Sequence, residues 1–424
     1  MIKFLLTGLF MDKSRSRLPV IVVSIGVMLT VLMHAYITGI MGDTIEMNAR
    51  FSKGHLKVMT QGYAENMQQI PNDLALTGVS SLLLELKQLF PDIDWSPRIQ
   101  FGGLVDAPDE NGETRSQGPA MGIGINLLAE GSPEAERLNL AGSLVRGTLP
   151  RNPGEALLSE AFALKLGVNP GDAVTLLGST MYGSMTMYNF VVSGTVSTGQ
   201  EALDRGLIIA DIEDIRMALN MEDASGEIVG FFRDGFYDDE SAVRIAERFN
   251  SSSEGTIDDY APVIRSLSRQ GSMGTYVEMS KTWSLYISMV FVFAMSLVLW
   301  NAGLLGGLRR YGEVGLRLAI GEEKGHIYRS MICESIMVGI AGSIVGTALG
   351  LLFAWLIQKY GIDISGMVKG SSMMMPTRIR ARITPVDFWL GFIPGLISTV
   401  IGTMLSGIGI YKRQTASLFK ELEV

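Results

Sequence analysis

The segment Arg309–Gly325, RRYGEVGLRLAIGEEKG, lies between two long apolar runs and carries Arg309, Arg310, Glu313, Arg317, Glu322, Glu323 and Lys324. Charges at this density are too costly to leave in hydrocarbon, so the segment belongs to an aqueous face. Its apolar residues Val314, Leu316, Leu318, Ala319 and Ile320 interleave with the charges, and the pattern stops at Gly321, a residue suited to a helix C-terminus. The spacing predicts a short amphipathic helix lying along a membrane surface. Taken alone, the same residues also suit a solvated connector that joins two spans.

Working outward, the chain has 424 residues, 47% of them hydrophobic, with a mean hydropathy of +0.27. About 20 helical residues cross a hydrocarbon core of about 30 Å. Four runs reach that length: Val20–Met41, Ser284–Leu308, Ile336–Ile357 and Phe388–Tyr411. The first run is longer than a signal-peptide core and no small-x-small cleavage site follows Gly39, so it reads as a retained anchor. With the N-terminus inside, the inner segments carry 12 Lys and Arg, from Lys3, Lys13, Arg15 and Arg17 to Lys420, against 5 in the short loop before the fourth run. This balance sets the orientation.

Between Asp43 and Lys281 there are 34 Asp and Glu against 18 Lys and Arg, whereas the rest of the chain is net basic. An acidic domain lacks the cationic footprint that nucleic acid requires, so no nucleic-acid partner is expected. Cys333 is the single cysteine, and the domain holds itself together by its core rather than by disulfides.

The pattern within this domain is α+β. Leu56 and Val58 alternate with polar residues as in a strand, and a helix is predicted over Ser80–Leu89, ended by Pro91. Strands are expected over Ile99–Val105 and Pro119–Ile125. After the turn Asn152-Pro153-Gly154 comes a helix that Ser159 can cap and Gly167 stops, then Pro170-Gly171-Asp172 and a hairpin. A strand over Gly206–Ala210, a helix over Ile212–Leu219, a strand over Ile228–Phe232 and a helix over Ser241–Phe249 follow. The hairpin tip Ser179–Tyr188 gathers Met181, Tyr182, Met185, Met187 and Tyr188, adaptable contact residues that suit either a packed turn or a docking loop.

Candidate chemistry is sparse. No Gly-x-x-x-x-Gly-Lys-Ser/Thr segment occurs, so the chain binds no ATP through a P-loop. His55 stands without a second metal ligand and reads as structural. Ser159 beside Glu160 has no nearby His and reads as a cap, and Asp234, Asp238, Asp239 and Glu240 read as a solvated turn. His34 is the one ionisable group in the first run, and Glu334 can pair with Arg329 or Lys324. The ionisable groups of the spans read as isolated, with no proton relay. Gly339, Gly342, Gly346 and Gly350 form a ridge that lets another helix approach, and Pro394 with its neighbouring glycines predicts a kinked or closely packed fourth span.

Arg310, Glu313, Val314, Gly315, Leu316, Arg317, Ala319, Ile320 and Gly321, followed by Glu334, Gly342, Gly346 and Gly350, resemble the FtsX-like permease domain of the MacB/FtsX/Lol-type ABC transporter superfamily. Gly154, Glu155, Ser159, Glu160, Leu166, Gly167, Gly171 and Asp172 resemble a phrase of its extracytoplasmic domain, and Gly54–Val58 resembles that domain's start. The resemblance implies an α-helical four-span membrane bundle with a large extracytoplasmic α+β domain inserted between spans one and two. The expected order is an interfacial helix 1–19, span 20–41, periplasmic MacB-like domain 42–283, span 284–308, coupling loop 309–329, span 330–357, outer loop 358–387, span 388–411 and cytoplasmic tail 412–424.

It further implies that Arg310 to Gly321, with Glu322 and Lys324, form the coupling helix that docks on a separate ATPase dimer, which binds ATP and Mg. This chain is then no enzyme itself. A second permease subunit, identical or not, completes the assembly in a bacterial inner membrane. The resemblance is closest to Lol-type lipoprotein-releasing permeases, which implies extraction of lipoproteins or other lipidic cargo. Val27, Val31, Ile37, Ile287, Phe291 and Met295 would line the acyl cavity, and the 179–188 loop would receive a periplasmic carrier protein. A scaffold that activates a cell-wall hydrolase and a MacB-like efflux permease are the alternatives, and no constellation for a membrane-anchored hydrolase is present.

Overall fold

The computed structural model describes residues 13–109, 111–251, 258–271, 273–308, 311–363 and 378–412. Arg309, Arg310, the interfacial segment before Lys13 and the tail after Lys412 lie outside the described residues. Strands of five or more residues and helices of seven or more are numbered here in chain order. The chain divides into two units, one of Met1–Asp43, Met279–Asp363 and Arg378–Val424, the other essentially Thr44–Glu278.

The first unit is helical. Four helical segments among the described residues are long and apolar enough to cross a membrane: Arg17–Phe51, Met273–Gly306, Lys324–Tyr360 and Asp387–Ile408. They correspond to α1 (Lys13–Asn48), α6 (Met273–Leu308), α8 (Lys324–Tyr360) and a fourth, broken helix that ends in α9 (Thr399–Lys412). The break follows from Pro394, which has no N–H to continue the ladder. A short turn at Asp387–Leu390 is followed by a π-helical stretch over Ile393–Ser398 before regular helix resumes.

The glycines of α8 explain its packing. A Cβ on Gly342 would stand 2.6 Å from the Val23 side chain, one on Gly346 2.5 Å from the Ser24 carbonyl oxygen, and one on Gly350 2.9 Å from Val31. Without side chains at these positions the backbones of α1 and α8 approach to dispersion contact. Gly391 and Gly395 on the broken helix do the same against Val27. By contrast only 11% of the apolar window of α6 is buried, against 44% for α1 and 39% for each of the other two, so α6 keeps its apolar surface for lipid or protein.

The second unit is α+β. Its strands are β1 (Leu56–Thr60), β2 (Ile93–Pro108), β3 (Thr114–Ile125), β4 (Glu155–Ser159), β5 (Ala173–Ser179), β6 (Met185–Val196), β7 (Leu207–Asp211), β8 (Glu227–Phe232) and β9 (Pro262–Ser266). Pairing runs β9–β1–β8–β2–β3–β7–β4–β6, and β5 joins β6 back to β2, so β2, β3, β7, β4, β6 and β5 close on themselves. β2 serves two neighbourhoods. Its first half pairs with β8, as in Trp95 with Gly230, and its second half with β3 and β5, as in Leu104 with Pro119 and Leu177.

Each neighbourhood has its own core. Helices α2 (Val79–Leu89) and α5 (Asp239–Asn250) cover Leu56, Val58, Ile93, Trp95 and Ile228. Helices α3 (Glu160–Leu166) and α4 (Ile212–Leu219) cover Phe101, Leu158, Leu176, Phe190 and Ile208. Three local expectations change. The strands expected from Ile99 and Pro119 start earlier, at Ile93 and Thr114. Ser159 occupies the N-cap position of α3 but spends its hydroxyl on the Asp204 carbonyl, 2.8 Å away, so it does not cap. Asp238, read as part of a solvated turn, caps α5 by accepting from the Ser241 amide.

Candidate functional site

The charged segment forms α7 (Tyr311–Ala319). Val314 is buried against Ile327 and Met331 at the start of α8, and Gly315 is buried beside it. Gly321, at φ +96°, reverses the chain in a backbone region that L side chains rarely adopt, and the Glu322 amide closes the turn on the Arg317 carbonyl at 3.0 Å. Glu322 then accepts from His326 at 2.7 Å and lies 3.9 Å from Arg317. The outcome is a fixed helix whose other face presents Leu316 and Ile320, 60% and 79% exposed, with Arg317 and Ala319 beside them. Two large aliphatic side chains are thus held in the open beside a short helix anchored through Val314.

The six residues expected to line a cavity differ in burial. Val27 and Val31 are fully buried against the glycines of α8 and the broken helix, and Ile37 is buried as well. Helix packing fills the space that the first two were expected to border. On α6, Ile287 is exposed while Phe291 and Met295 are half-buried. A separate cavity of about 240 Å³ lies in the membrane unit, bordered by Leu18, Val22, Leu305, Glu334, Val338 and Thr403 among others.

The Met/Tyr hairpin divides in two. Met181 is buried, its amide bonded to the Leu219 carbonyl at 2.8 Å, and Tyr188 packs on the core while donating to Asp214 at 3.2 Å. Burial raises the Asp214 carboxyl above its ordinary range, against the opposing bonds from the Gly154 amide and Tyr188, and burial likewise raises the Tyr188 phenol. On this base Tyr182, Met185 and Met187 stand out, 74%, 85% and 72% exposed.

Two polar networks were not legible in the sequence. His34 is not isolated: its Nδ1 lies 2.7 Å from Asp387 Oδ1, and Asp387 is fully buried. In the second unit, Arg98 is fully buried. It donates to Glu134 at 2.9 Å and to the Arg50 and Phe51 carbonyls at 3.0 and 2.9 Å. Arg137 completes this network between Glu134 and Asp94. His55, as expected for a structural residue, is buried; its Nδ1 accepts the Phe232 amide at 3.0 Å and its Nε2 faces Glu46 at 2.7 Å. Among the described residues no cluster of His, Cys, Asp and Glu could hold a metal ion.

Residues 285–415, which contain α7, match the FtsX-like permease C-terminal family. The chain therefore carries an FtsX-like permease domain in its membrane-spanning part. It is 25% identical over 217 residues to the lipoprotein-releasing system transmembrane protein LolC of Xylella fastidiosa (strain 9a5c), covering 49% of this chain and 50% of that one. It is 28% identical over 102 residues to the macrolide export ATP-binding/permease protein MacB of Neisseria meningitidis (serogroup A), covering 20% and 16%. The chain thus matches about half the length of the LolC relative. The periplasmic region of MacB from Actinobacillus actinomycetemcomitans aligns with a TM-score of 0.34 and 15% identity, over 55% of this chain and 91% of that structure.

Proposed function

We propose that this chain is the permease subunit of an ABC transporter of the LolC/MacB/FtsX type, working with a separate ATPase that binds ATP and Mg. The observation that carries the reading is α7, buried through Val314 and presenting Leu316 and Ile320 outward. In this reading the sheet-rich unit stands in the periplasm of a bacterial inner-membrane protein, a second permease subunit completes the complex, and ATP-driven closure of the ATPases pushes on α7.

The cargo in this reading is a lipoprotein or another acylated molecule. Supporting it are the similarity to LolC, the uncovered apolar face of α6 with Ile287, and the exposed Tyr182, Met185 and Met187, which suit a periplasmic carrier. The test is to purify the protein from native membrane in mild detergent and identify co-purifying polypeptides and acylated species by mass spectrometry. A P-loop ATPase with a retained acylated cargo supports the proposal. An ATPase with a cell-wall hydrolase and no cargo replaces extraction by signalling.

A further inference from the structure

The segment before the fourth span, Arg378–Asp387, runs along the outer end of α1 and is bonded to it over successive turns. The Arg380 amide donates to Asp43 Oδ2 at 3.1 Å and the Arg382 amide to the Ala35 carbonyl at 2.9 Å. Between these points the strap crosses α1 at Gly39, where a Cβ would stand 1.9 Å from the Arg380 carbonyl oxygen. Ala35, Ala354 and Ala381 are all fully buried in one cluster, with Leu32, Ile357 and Ile383 packed against it, so small side chains let α1, α8 and the strap meet closely. The Ile383 amide reaches Gln358 of α8 at 3.4 Å.

The strap ends on a buried carboxylate. Asp387 Oδ1 takes the His34 contact at 2.7 Å, while Oδ2 accepts from the Thr384 amide at 2.6 Å and the Thr384 hydroxyl at 2.9 Å. A carboxylate removed from water and given three partners is expensive to uncouple, because water does not replace the lost bonds at that depth. The contrast with α6 is sharp: from Lys281 to Val298 only Ser288 is buried. Lower down, α6 is held close, since a Cβ on Gly303 would meet the Thr399 carbonyl oxygen at 2.7 Å and one on Gly402 the Trp300 carbonyl oxygen at 2.4 Å.

We infer that His34 and Asp387 are positioning residues of a latch that makes the outer ends of spans one, three and four one body, and that span two is the element that swings. The latch is a property of the described residues. Its bearing on ATP-driven work rests on the permease reading above. In that cycle, any opening between the first and second spans comes from displacement of α6 about its inner half, and the strap never leaves α1.

The test uses the full chain with Cys333→Ser as background. Ala35→Cys with Ala381→Cys is oxidised in native membranes, and Gly26→Cys with Met295→Cys is bridged by a short bis-methanethiosulfonate reagent. The Gly26 pair ties α1 to α6, because a Cβ at Gly26 would stand 3.2 Å from the Met295 side chain. The latch predicts near-complete strap cross-linking, and turnover of the purified permease–ATPase complex within about twofold of the reduced form. It predicts at least a tenfold fall, reversed by reduction, when α6 is tethered. A strap cross-link that stops turnover, or an α6 tether that leaves it unchanged, overturns the inference.

Cross-linking yield needs no ATPase, so it separates the two claims. A poor yield sinks the latch whatever the protein's partners are, whereas a high yield without any ATPase sinks only the permease reading. If the cysteine pairs disturb assembly, the strap pair is replaced by accessibility of a single Ala381→Cys to a thiol reagent. His34→Leu then raises labelling severalfold and His34→Gln, which keeps a donor toward Asp387, does not. Equal labelling in all three overturns the role of His34.

Discussion

Replacing Arg98 by Met should be among the most destabilising single changes in the sheet-rich unit. The guanidinium is fully buried and holds a fully buried Glu134 together with two backbone carbonyls, those of Arg50 and Phe51. Both carbonyls belong to the π-helical turn Ala49–Lys53 that ends α1, so Arg98 supplies donors the helix end lacks. Breaking a buried pair by deleting one partner costs about 3–5 kcal/mol. Arg137 still faces Glu134, which places the expectation near the lower end, about 3 kcal/mol.

For a unit of this size about 1 kcal/mol moves the midpoint by about 2–4 °C, so Arg98→Met should lower the thermal midpoint by about 6–12 °C in mild detergent. Glu134→Gln on top of it removes the stranded charge and should restore at least about 1 kcal/mol, a non-additivity that a double-mutant cycle reads directly. A cost below about 1 kcal/mol for Arg98→Met, or strict additivity of the two changes, would refute the assignment of that network as the fastening of the helix end.

Three further expectations follow from other parts of the chain. Gly346→Ala places a methyl group 2.5 Å from the Ser24 carbonyl oxygen, which belongs to backbone that cannot step aside, and should cost about 1–3 kcal/mol of bundle stability in thermal unfolding. Met185→Ser with Met187→Ser, at side chains 85% and 72% exposed, should change stability by no more than about 0.5 kcal/mol while reducing capture of any periplasmic carrier in a pull-down. Asp223 caps α2 through the Ser80 hydroxyl at 2.6 Å and amide at 2.9 Å, and the hydroxyl bond, followed by the amide bond, holds its carboxyl below the ordinary value. A depressed folded-state carboxyl stabilises above its unfolded pKa of about 4, and that stability is lost as pH falls through the folded value. Asp223→Asn should therefore lower stability at neutral pH, and the difference from the unaltered protein should shrink as pH falls below about 4.

The parts that sequence revealed are those whose physics is local. The alternation of charge and aliphatic residues around Leu316 gave α7, the four apolar runs gave the long helices, and Pro394 gave the break in the last of them. The glycines at 342, 346 and 350 announced a close approach but not the partner, which the structure shows to be α1. The pieces that stayed hidden depend on long-range pairing. His34 and Asp387 are 353 residues apart, and neither carries a local pattern that names the other. Arg98 and Glu134 read as ordinary charges in an acidic domain, and only the fold removes both from water. Ser159 had the right residue type at an N-cap position, yet the nearby Asp204 carbonyl competes for its hydroxyl. The division of the hairpin into anchors, Met181 and Tyr188, and exposed side chains, Tyr182, Met185 and Met187, likewise needed the core against which the first two pack.

The central claim is that α7 joins this permease domain to a separate ATPase, and the most direct measurement is the amount of P-loop ATPase recovered with the purified protein. Leu316→Asp with Ile320→Asp alters two exposed side chains and leaves the buried Val314 anchor intact. The account predicts an ATPase in stoichiometric amount with the unaltered protein and at least tenfold less with the double variant at unchanged expression. Equal recovery from both proteins, or no ATPase with either, would contradict it.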